Sequence, residues 1–267
     1  MTRYLSRTGA ESAGHGIRLL CFPYAGGGAS VFGRWQRGLD AHGARAQVLP
    51  VQLPGREGRM NEPRFTDLDA LARDLDEELD DVLAGPHVLY GHSMGALAAY
   101  ALARRRQRRG APLPAALVVS AYRAPHLPAP SIARPDASDE ELLAGLISLG
   151  GIPRALLDHP EWLSALLPVA RDDLMLCTSQ AATGSGEPLR IPLHLFAGLR
   201  DRLVSVPEVV AWRRHAGRGC EMRTMPGGHF FIRAHEDAFL RELSVVLRHH
   251  AARAERRERM LAGAVPA

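Results

Sequence analysis

A five-residue run, 91–95 (GHSMG), lies between the apolar residues 88–90 and the helix-forming residues 96–109. This order predicts a strand, a sharp turn and a helix, with Ser93 at the tip of the turn. Glycines on both sides of the serine avoid collisions with the neighbouring strand and helix. The free amides at the start of the helix then point at the group that reacts with Ser93. The run therefore predicts a nucleophilic serine at the end of a strand.

Two later segments offer an acid and a base in the order that such a serine requires. The apolar strand 195–197 leads into a loop that carries Asp201, which is the candidate acid. The next strand, 221–225, leads into a glycine-rich loop that carries His229, which is the candidate base. His92 lies inside the serine turn and is not expected to reach Ser93. Ser93, Asp201 and His229 together predict a catalytic triad.

An attacked carbonyl also needs two backbone amides that stabilise its oxygen. Met94, directly after the serine, supplies one amide. The glycine-rich segment 22–28 follows the first predicted strand, and Ala25 is the candidate for the second amide. This segment lacks the Lys-Ser or Lys-Thr of a phosphate-binding loop and the GxGxxG spacing of dinucleotide-binding folds.

Short apolar runs alternate with helical patterns along the chain. Because alternation of this kind is typical of α/β proteins, it predicts a mostly parallel sheet with helices on both faces. Thr66 with Asp69 and Ser138 with Glu141 have the spacing of capping boxes, which predicts helix starts there. The whole chain, 1–267, is interpreted as a single domain. Strands are predicted at 17–22, 46–53, 87–90, 116–120, 192–197 and 221–225.

The segment 125–187 interrupts this alternation, since it contains no convincing strand. A proline-rich stretch precedes two helical patterns, 140–149 and 161–180, which are rich in leucine. An all-helical insertion at the carboxyl edge of a sheet predicts a lid that lines an acyl-binding pocket. A packing subdomain without a gating role would show the same pattern.

Composition limits the remaining functions. The 267 residues include 46% hydrophobic and 23% charged residues, as in an ordinary globular protein. No signal peptide or membrane-spanning run is visible, so a cytoplasmic protein is expected. Three cysteines without metal-ligand spacing predict buried thiols, and no metal or organic cofactor is expected. The net charge of +4 favours an acidic partner, whereas the arginine run 104–109 indicates a helix end rather than a nucleic-acid site.

Five motifs in order resemble those of the type II thioesterases, which are editing hydrolases of polyketide and non-ribosomal peptide pathways. The resemblance covers the chain from about residue 19 to 240. Many relatives carry neighbouring acidic residues where 198–202 has only Asp201, which simplifies the choice of acid. The motifs are 22–27 (FPYAGG), 54–57 (PGRE), 91–96 (GHSMGA), 123–126 (RAPH) and 226–231 (PGGHFF).

The resemblance implies an α/β-hydrolase fold with a helical lid and a triad of Ser93, Asp201 and His229. It also implies hydrolysis of acyl thioesters on the phosphopantetheine arm of an acyl or peptidyl carrier protein by a monomer. A general carboxylesterase or acyl-CoA thioesterase would share the same catalytic residues. A chain-terminating thioesterase and a non-enzymatic scaffold that binds carrier proteins are also compatible with the fold. The intact triad argues against the scaffold.

Overall fold

A six-stranded sheet forms the centre of the molecule, with strand order β2-β1-β3-β4-β5-β6 and every neighbouring pair parallel. The computed structural model describes residues 2–5, 16–132, 134, 136–152, 158–179 and 186–262. The predicted parallel sheet with helices on both faces is confirmed. The strands are β1 (Ile17–Phe22), β2 (Ala46–Pro50), β3 (His87–His92), β4 (Ala116–Ser120), β5 (Leu193–Gly198) and β6 (Cys220–Met225).

Two strands differ from their predicted bounds by more than one residue. β2 ends at Pro50, three residues early, and the amide of Gln52 donates to the carbonyl of Tyr4 at 2.8 Å. The chain thus leaves the sheet to meet its own N-terminal residues. β3 continues to His92, two residues further than predicted, because His92 still pairs with Ser120. The strand therefore runs directly into Ser93.

Helices connect the strands and cover the sheet. Short 3-10 turns lie at Ala29–Phe32, Glu57–Arg59 and Ala211–His215. The α-helices are α1 (Trp35–Ala41), α2 (Leu68–Glu78), α3 (Asp80–Leu83), α4 (Met94–Arg108), α5 (Asp139–Ser148), α6 (Pro160–Thr178), α7 (Val206–Val210), α8 (Phe231–Ala234) and α9 (Glu236–Ala262).

One predicted helix start is confirmed and one is wrong. Ser138 and Glu141 form the predicted capping box at the start of α5. At α2 the N-cap is Asp67, whose carboxylate accepts the amide of Ala70 at 2.8 Å. Asp67 has extended backbone dihedrals directly before the first helical residue, which is the geometry that a cap needs. Thr66 lies one residue too early for that role.

The core consists of two apolar layers, one on each face of the sheet, because alternate strand residues point to opposite faces. In β1, Leu20 and Phe22 pack on one face with leucines of α2 and α4. Leu19 and Cys21 pack on the other face with residues of α1 and α9. The strands β1, β3, β4 and β5 are almost entirely buried, so the sheet holds their carboxyl ends in a fixed frame.

The insertion between β4 and β5 contributes α5 and α6, and its described residues include no named strand. The guanidinium of Arg171 in α6 donates to the carbonyl of Ala137 and to the carboxylate of Asp139, both at 2.7 Å. These contacts join the two helices at one end.

All three cysteines are free thiols, with Cys21 and Cys177 buried and Cys220 half-buried at the start of β6. In the described part of the chain, no helix is both long enough and apolar enough to span a bilayer.

Candidate active site

Ser93 lies between the last residue of β3 and the first residue of α4. Its backbone has φ +54° and ψ −127°, and conformations of this kind cost roughly 1–3 kcal/mol. A Cβ atom on Gly91 would lie 2.2 Å from the carbonyl oxygen of Gly95, and one on Gly95 would lie 2.2 Å from that of Phe22. Close backbone packing therefore requires glycine at both positions. It also brings the start of α4 against the end of β1.

The structure brings Asp201, His229 and Ser93 together in one chain of contacts. His229 Nδ1 lies 2.8 Å from Asp201 Oδ2, and His229 Nε2 lies 2.9 Å from Ser93 Oγ. A carboxylate only accepts hydrogen bonds, so Nδ1 carries the ring proton and Nε2 accepts from the serine hydroxyl. This is the order of contacts that activates a serine as a nucleophile.

The carboxylate of Asp201 is held in place by its own loop. Its side chain is fully buried, and Oδ1 accepts the amides of Leu203 at 2.8 Å and Val204 at 3.1 Å. The loop after β5 also packs against the loop after β6, since the amide of Arg200 donates to the carbonyl of Gly227 at 2.8 Å. Consequently the acid and the histidine are fixed relative to each other by backbone contacts.

Two backbone amides near the serine have no hydrogen-bond acceptor in the described part of the chain. They belong to Met94, the first residue of α4, and to Ala25, in the loop after β1. The contact between Gly95 and the end of β1 brings these two segments side by side. Backbone amides without an acceptor can stabilise a developing negative charge, and the amide of Met94 also lies at a helix start.

His92 does not bond to Ser93. Its ring is fully buried, its centroid lies 5.4 Å from that of His229, and its Nδ1 lies 2.9 Å from Ser120 Oγ. Burial holds the pKa of His92 well below its usual value, and His229 and Arg233 add to the shift. His92 therefore packs as a neutral ring behind the candidate base.

Arg123 supports the loop that carries Asp201, a role the sequence did not reveal. Its Nη2 donates to the carbonyl of Leu203 at 2.9 Å and pairs with Glu208 Oε1 at 2.9 Å. The amide of Leu203 in turn donates to Asp201. Arg123 therefore supports the acid indirectly, through Leu203. Its place in the motif 123–126 was the only sequence signal.

A second contact outside the sequence predictions joins α6 to the loop after β1. Arg56 and Asp173 form a buried ion pair, and Asp173 also accepts the amide of Gly26 at 2.8 Å. Within the described ranges, no group of three or more histidine, cysteine, aspartate or glutamate side chains is arranged to hold a metal ion.

Comparison with known proteins finds a matching family model and relatives that are similar over most of this chain. The family model for the thioesterase domain matches residues 17–246. Linear gramicidin dehydrogenase LgrE from Brevibacillus parabrevis is 37% identical over 227 residues, covering 84% of this chain and 85% of that protein. LgrE carries the name of a dehydrogenase. In this chain, however, the glycine-rich turn after β1 lacks the GxGxxG spacing that is typical of dinucleotide-binding folds.

Two solved structures are similar along most of their length. RedJ, a thioesterase of the prodiginine pathway in Streptomyces coelicolor, has a TM-score of 0.80 and 37% identity, covering 86% of this chain and 90% of its own. The type II thioesterase BorB, from the borrelidin biosynthetic cluster, has a TM-score of 0.75 and 33% identity, covering 93% of this chain and 95% of its own.

Proposed function

Because this chain belongs to the thioesterase family, we propose that it hydrolyses acyl thioesters on the phosphopantetheine arm of a carrier protein. In this role it removes aberrant or stalled acyl groups during polyketide or non-ribosomal peptide assembly. One observation carries the catalytic part of the proposal: His229 bridges Ser93 Oγ, at 2.9 Å, and Asp201 Oδ2, at 2.8 Å.

In the first half-reaction Ser93 Oγ attacks the thioester carbonyl carbon while His229 Nε2 takes the hydroxyl proton. Asp201 keeps the ring oriented and stabilises the imidazolium. The amides of Met94 and Ala25 stabilise the negative oxygen of the tetrahedral intermediate. The C–S bond then breaks, the proton on His229 passes to the sulfur, and the phosphopantetheine thiol leaves.

In the second half-reaction His229 removes a proton from water, and the hydroxide formed attacks the acyl-serine ester. The ester C–O bond breaks, Ser93 regains its proton from His229, and the free acid leaves. No metal or organic cofactor takes part in this sequence.

The insertion is proposed as a lid that covers the acyl group. A Cβ atom on Gly26 would lie 3.4 Å from the Cβ of Ala170 and 3.9 Å from Leu166 Cδ2, so α6 packs directly on the loop beside Ser93. The apolar face of α6 therefore lies against the loop that borders the serine. An acyl chain attached to Ser93 would extend along that face.

Two observations support a carrier protein as the substrate donor. RedJ and BorB are thioesterases from natural-product assembly pathways. In addition, the net charge of +4 favours acidic partners, and carrier proteins are typically acidic.

The test measures acid release from one short acyl group presented in three ways: on a carrier protein, on coenzyme A and as a nitrophenyl ester. Wild type, Ser93→Ala and Ser244→Ala are compared. Ser244 lies on α9, and its hydroxyl bonds only to the carbonyl of Arg241 and to Arg248 in the described structure, so its loss should leave turnover unchanged.

The proposal predicts a higher kcat/KM for the carrier-bound thioester and loss of activity in Ser93→Ala alone. Equal or better turnover of the nitrophenyl ester would instead identify a general esterase, and better turnover on coenzyme A an acyl-CoA thioesterase. Unchanged hydrolysis by Ser93→Ala would overturn the serine mechanism.

A further inference from the structure

The ion pair between Arg56 and Asp173 is bidentate and almost completely buried. Arg56 Nη1 lies 2.5 Å from Asp173 Oδ2, and Nη2 lies 2.7 Å from Oδ1. The two side chains are 8% and 2% exposed. Arg56 belongs to the turn that follows β2, whereas Asp173 belongs to α6, so the pair joins two separate parts of the fold.

The same pair holds the glycine-rich loop after β1 at two points. Asp173 Oδ2 accepts the amide of Gly26 at 2.8 Å, and Arg56 Nη1 donates to the carbonyl of Gly27 at 3.3 Å. Thus one carboxylate oxygen receives both a guanidinium proton and a backbone amide proton. The loop cannot shift without disturbing the ion pair.

One face of α6 makes this contact. Leu166, Ala170 and Asp173 are spaced by four and three residues, which places them on the same side of the helix. Ala170 and Leu166 pack on Gly26, whose φ of +77° disfavours any larger residue. The helix therefore meets the loop with two apolar side chains and one acid.

These contacts fix the orientation of the amide of Ala25. The carbonyl of Tyr24 and the amide of Ala25 share one planar peptide. That carbonyl accepts the amide of Gly27 at 2.8 Å, and Gly26 and Gly27 are the residues held by Asp173 and Arg56. The direction of the Ala25 amide therefore depends on a loop conformation that the ion pair stabilises.

We propose that Arg56 and Asp173 are positioning residues that act through Gly26 and Gly27 to orient the amide of Ala25, which binds the oxyanion. The packing of α6 on this loop is thereby coupled to catalysis. The inference rests on the proposed function, since it assumes that Ala25 binds the oxyanion. Neither side chain touches the reacting atoms.

A purely structural role makes a different prediction. Replacing a buried ion pair by apolar residues of similar size is often neutral for stability, whereas removing one partner leaves a buried charge unpaired. If the pair only held the fold together, Arg56→Met with Asp173→Leu would restore both stability and activity. If it positions the loop, the double variant folds but has no acceptor for the amide of Gly26.

The experiment compares two ligands of equal chain length. A short-chain alkyl trifluoromethyl ketone accepts Ser93 Oγ at its carbonyl carbon, His229 takes the hydroxyl proton, and the carbonyl oxygen becomes an oxyanion. The matched carboxamide binds without forming this bond. The ratio of the two inhibition constants therefore reports on the oxyanion-binding amides, while the carboxamide alone reports on the acyl pocket.

In Asp173→Asn and in the double variant, binding of the trifluoromethyl ketone is expected to weaken by about 10- to 100-fold, and kcat should fall by a similar factor. This effect is smaller than that of removing an oxyanion-binding donor itself. Carboxamide affinity should change by no more than about threefold, because the apolar pocket is retained. Thermal unfolding of each variant is recorded in parallel.

Asp172→Asn is the matched control. Asp172 is the neighbouring residue on α6, but it pairs with Arg64 at 2.6 Å and both side chains are about 30% exposed. Both ligands should bind this variant within about twofold of wild type, since exposed pairs contribute little.

Wild-type affinity for the trifluoromethyl ketone in the folded double variant would overturn the inference, as would equal weakening of both ligands. If wild type and Ser93→Ala bind the ketone equally well, the serine mechanism fails and the inference with it. The two failures are therefore distinguishable.

Discussion

His87 and His229 lie at opposite ends of the central sheet and are almost equally buried, being 1% and 3% exposed. At the carboxyl end, His229 has a carboxylate on Nδ1 and a hydroxyl on Nε2. At the amino end, His87 Nδ1 contacts the carbonyl of Gly85 at 2.8 Å, and Nε2 has no partner within the described structure.

The partners of each ring, rather than its depth, decide what it can do. Burial lowers the pKa of His87 to about 4, and the charges of Arg106 and Arg18 add to the shift. A proton transferred to His229 instead lies beside the carboxylate of Asp201, which stabilises the imidazolium. One end of the sheet is thus suited to proton transfer and the other to keeping its histidine neutral.

The largest expected effect comes from removing the carboxylate beside His229, so that this ring, like His87, has no acidic partner. Asp201→Asn removes the charge that stabilises the imidazolium and favours the wrong ring tautomer, so kcat should fall by about 10⁴-fold. The measurement is the initial rate of thioester hydrolysis, with circular dichroism as the folding check. A fall of less than about tenfold would contradict the assignment of Asp201 as the acid.

The next effect concerns the amino end, where carboxylates stabilise arginine rather than histidine. Arg106 and Asp76 are completely buried, with Nη1 2.7 Å from Oδ1, and Arg105 Nε lies 3.0 Å from Asp76 Oδ2. Asp76→Ala removes the buried carboxylate that balances the charge of the Arg106 guanidinium. The free energy of unfolding should therefore fall by about 3–5 kcal/mol.

Urea unfolding measures this change, with Asp172→Asn as the exposed counterpart. The kcat of the folded Asp76→Ala protein should stay close to that of wild type. A large drop in kcat with little change in stability would show that the two ends of the sheet are not separate in function.

The third prediction concerns pH. Unfolded His87 titrates near its ordinary pKa of 6.5 and native His87 near 4, so the unfolded state binds more protons between these values. Stability should therefore fall as pH drops from 6.5 to 4. His87→Asn keeps a donor for the carbonyl of Gly85 but does not titrate, and should reduce this fall by roughly 3 kcal/mol.

Urea midpoints at pH 7, 5.5 and 4 measure the effect. Three other histidines, His194, His215 and His250, also have pKa values lowered to about 4 by burial. The variant should therefore keep a smaller slope in the same direction. Parallel curves for wild type and variant would contradict the prediction for His87.

The smallest expected effect is loss of the brace behind the acid. Arg123→Gln removes the ion pair with Glu208 but leaves the amides of Leu203 and Val204 on Asp201. We expect kcat to fall by about tenfold, equivalent to about 1.4 kcal/mol, with KM little changed. Arg123→Lys should recover part of the loss, whereas an equal rise in KM would indicate a disturbed pocket instead.

The sheet and the relative placement of the site residues could be predicted because each rests on local information. The strands are short apolar runs, and the carboxyl ends of parallel strands meet at one edge. Ser93, Asp201 and His229 each follow such a strand, so their proximity follows from topology. Their catalytic roles remain predictions.

The supporting contacts could not be predicted because they depend on tertiary packing. Residues 172 and 173 are both aspartate, so residue type does not distinguish them. Only Asp173 lies on the face of α6 that meets Gly26. Arg123 acts on a loop 80 residues away along the chain. In the same way, nothing local distinguishes His87 from an exposed histidine at the start of a strand.

The distribution of thiols leaves one cysteine for attaching this protein to a surface or a dye. Cys21 and Cys177 are buried, whereas Cys220 is half-buried at the first residue of β6, the end of that strand opposite to the catalytic loops. Burial raises the pKa of the Cys220 thiol, which lowers its thiolate fraction at neutral pH, so coupling with iodoacetamide needs mildly alkaline conditions. A probe coupled there leaves the carboxyl edge of the sheet open, and no cysteine needs to be added or removed.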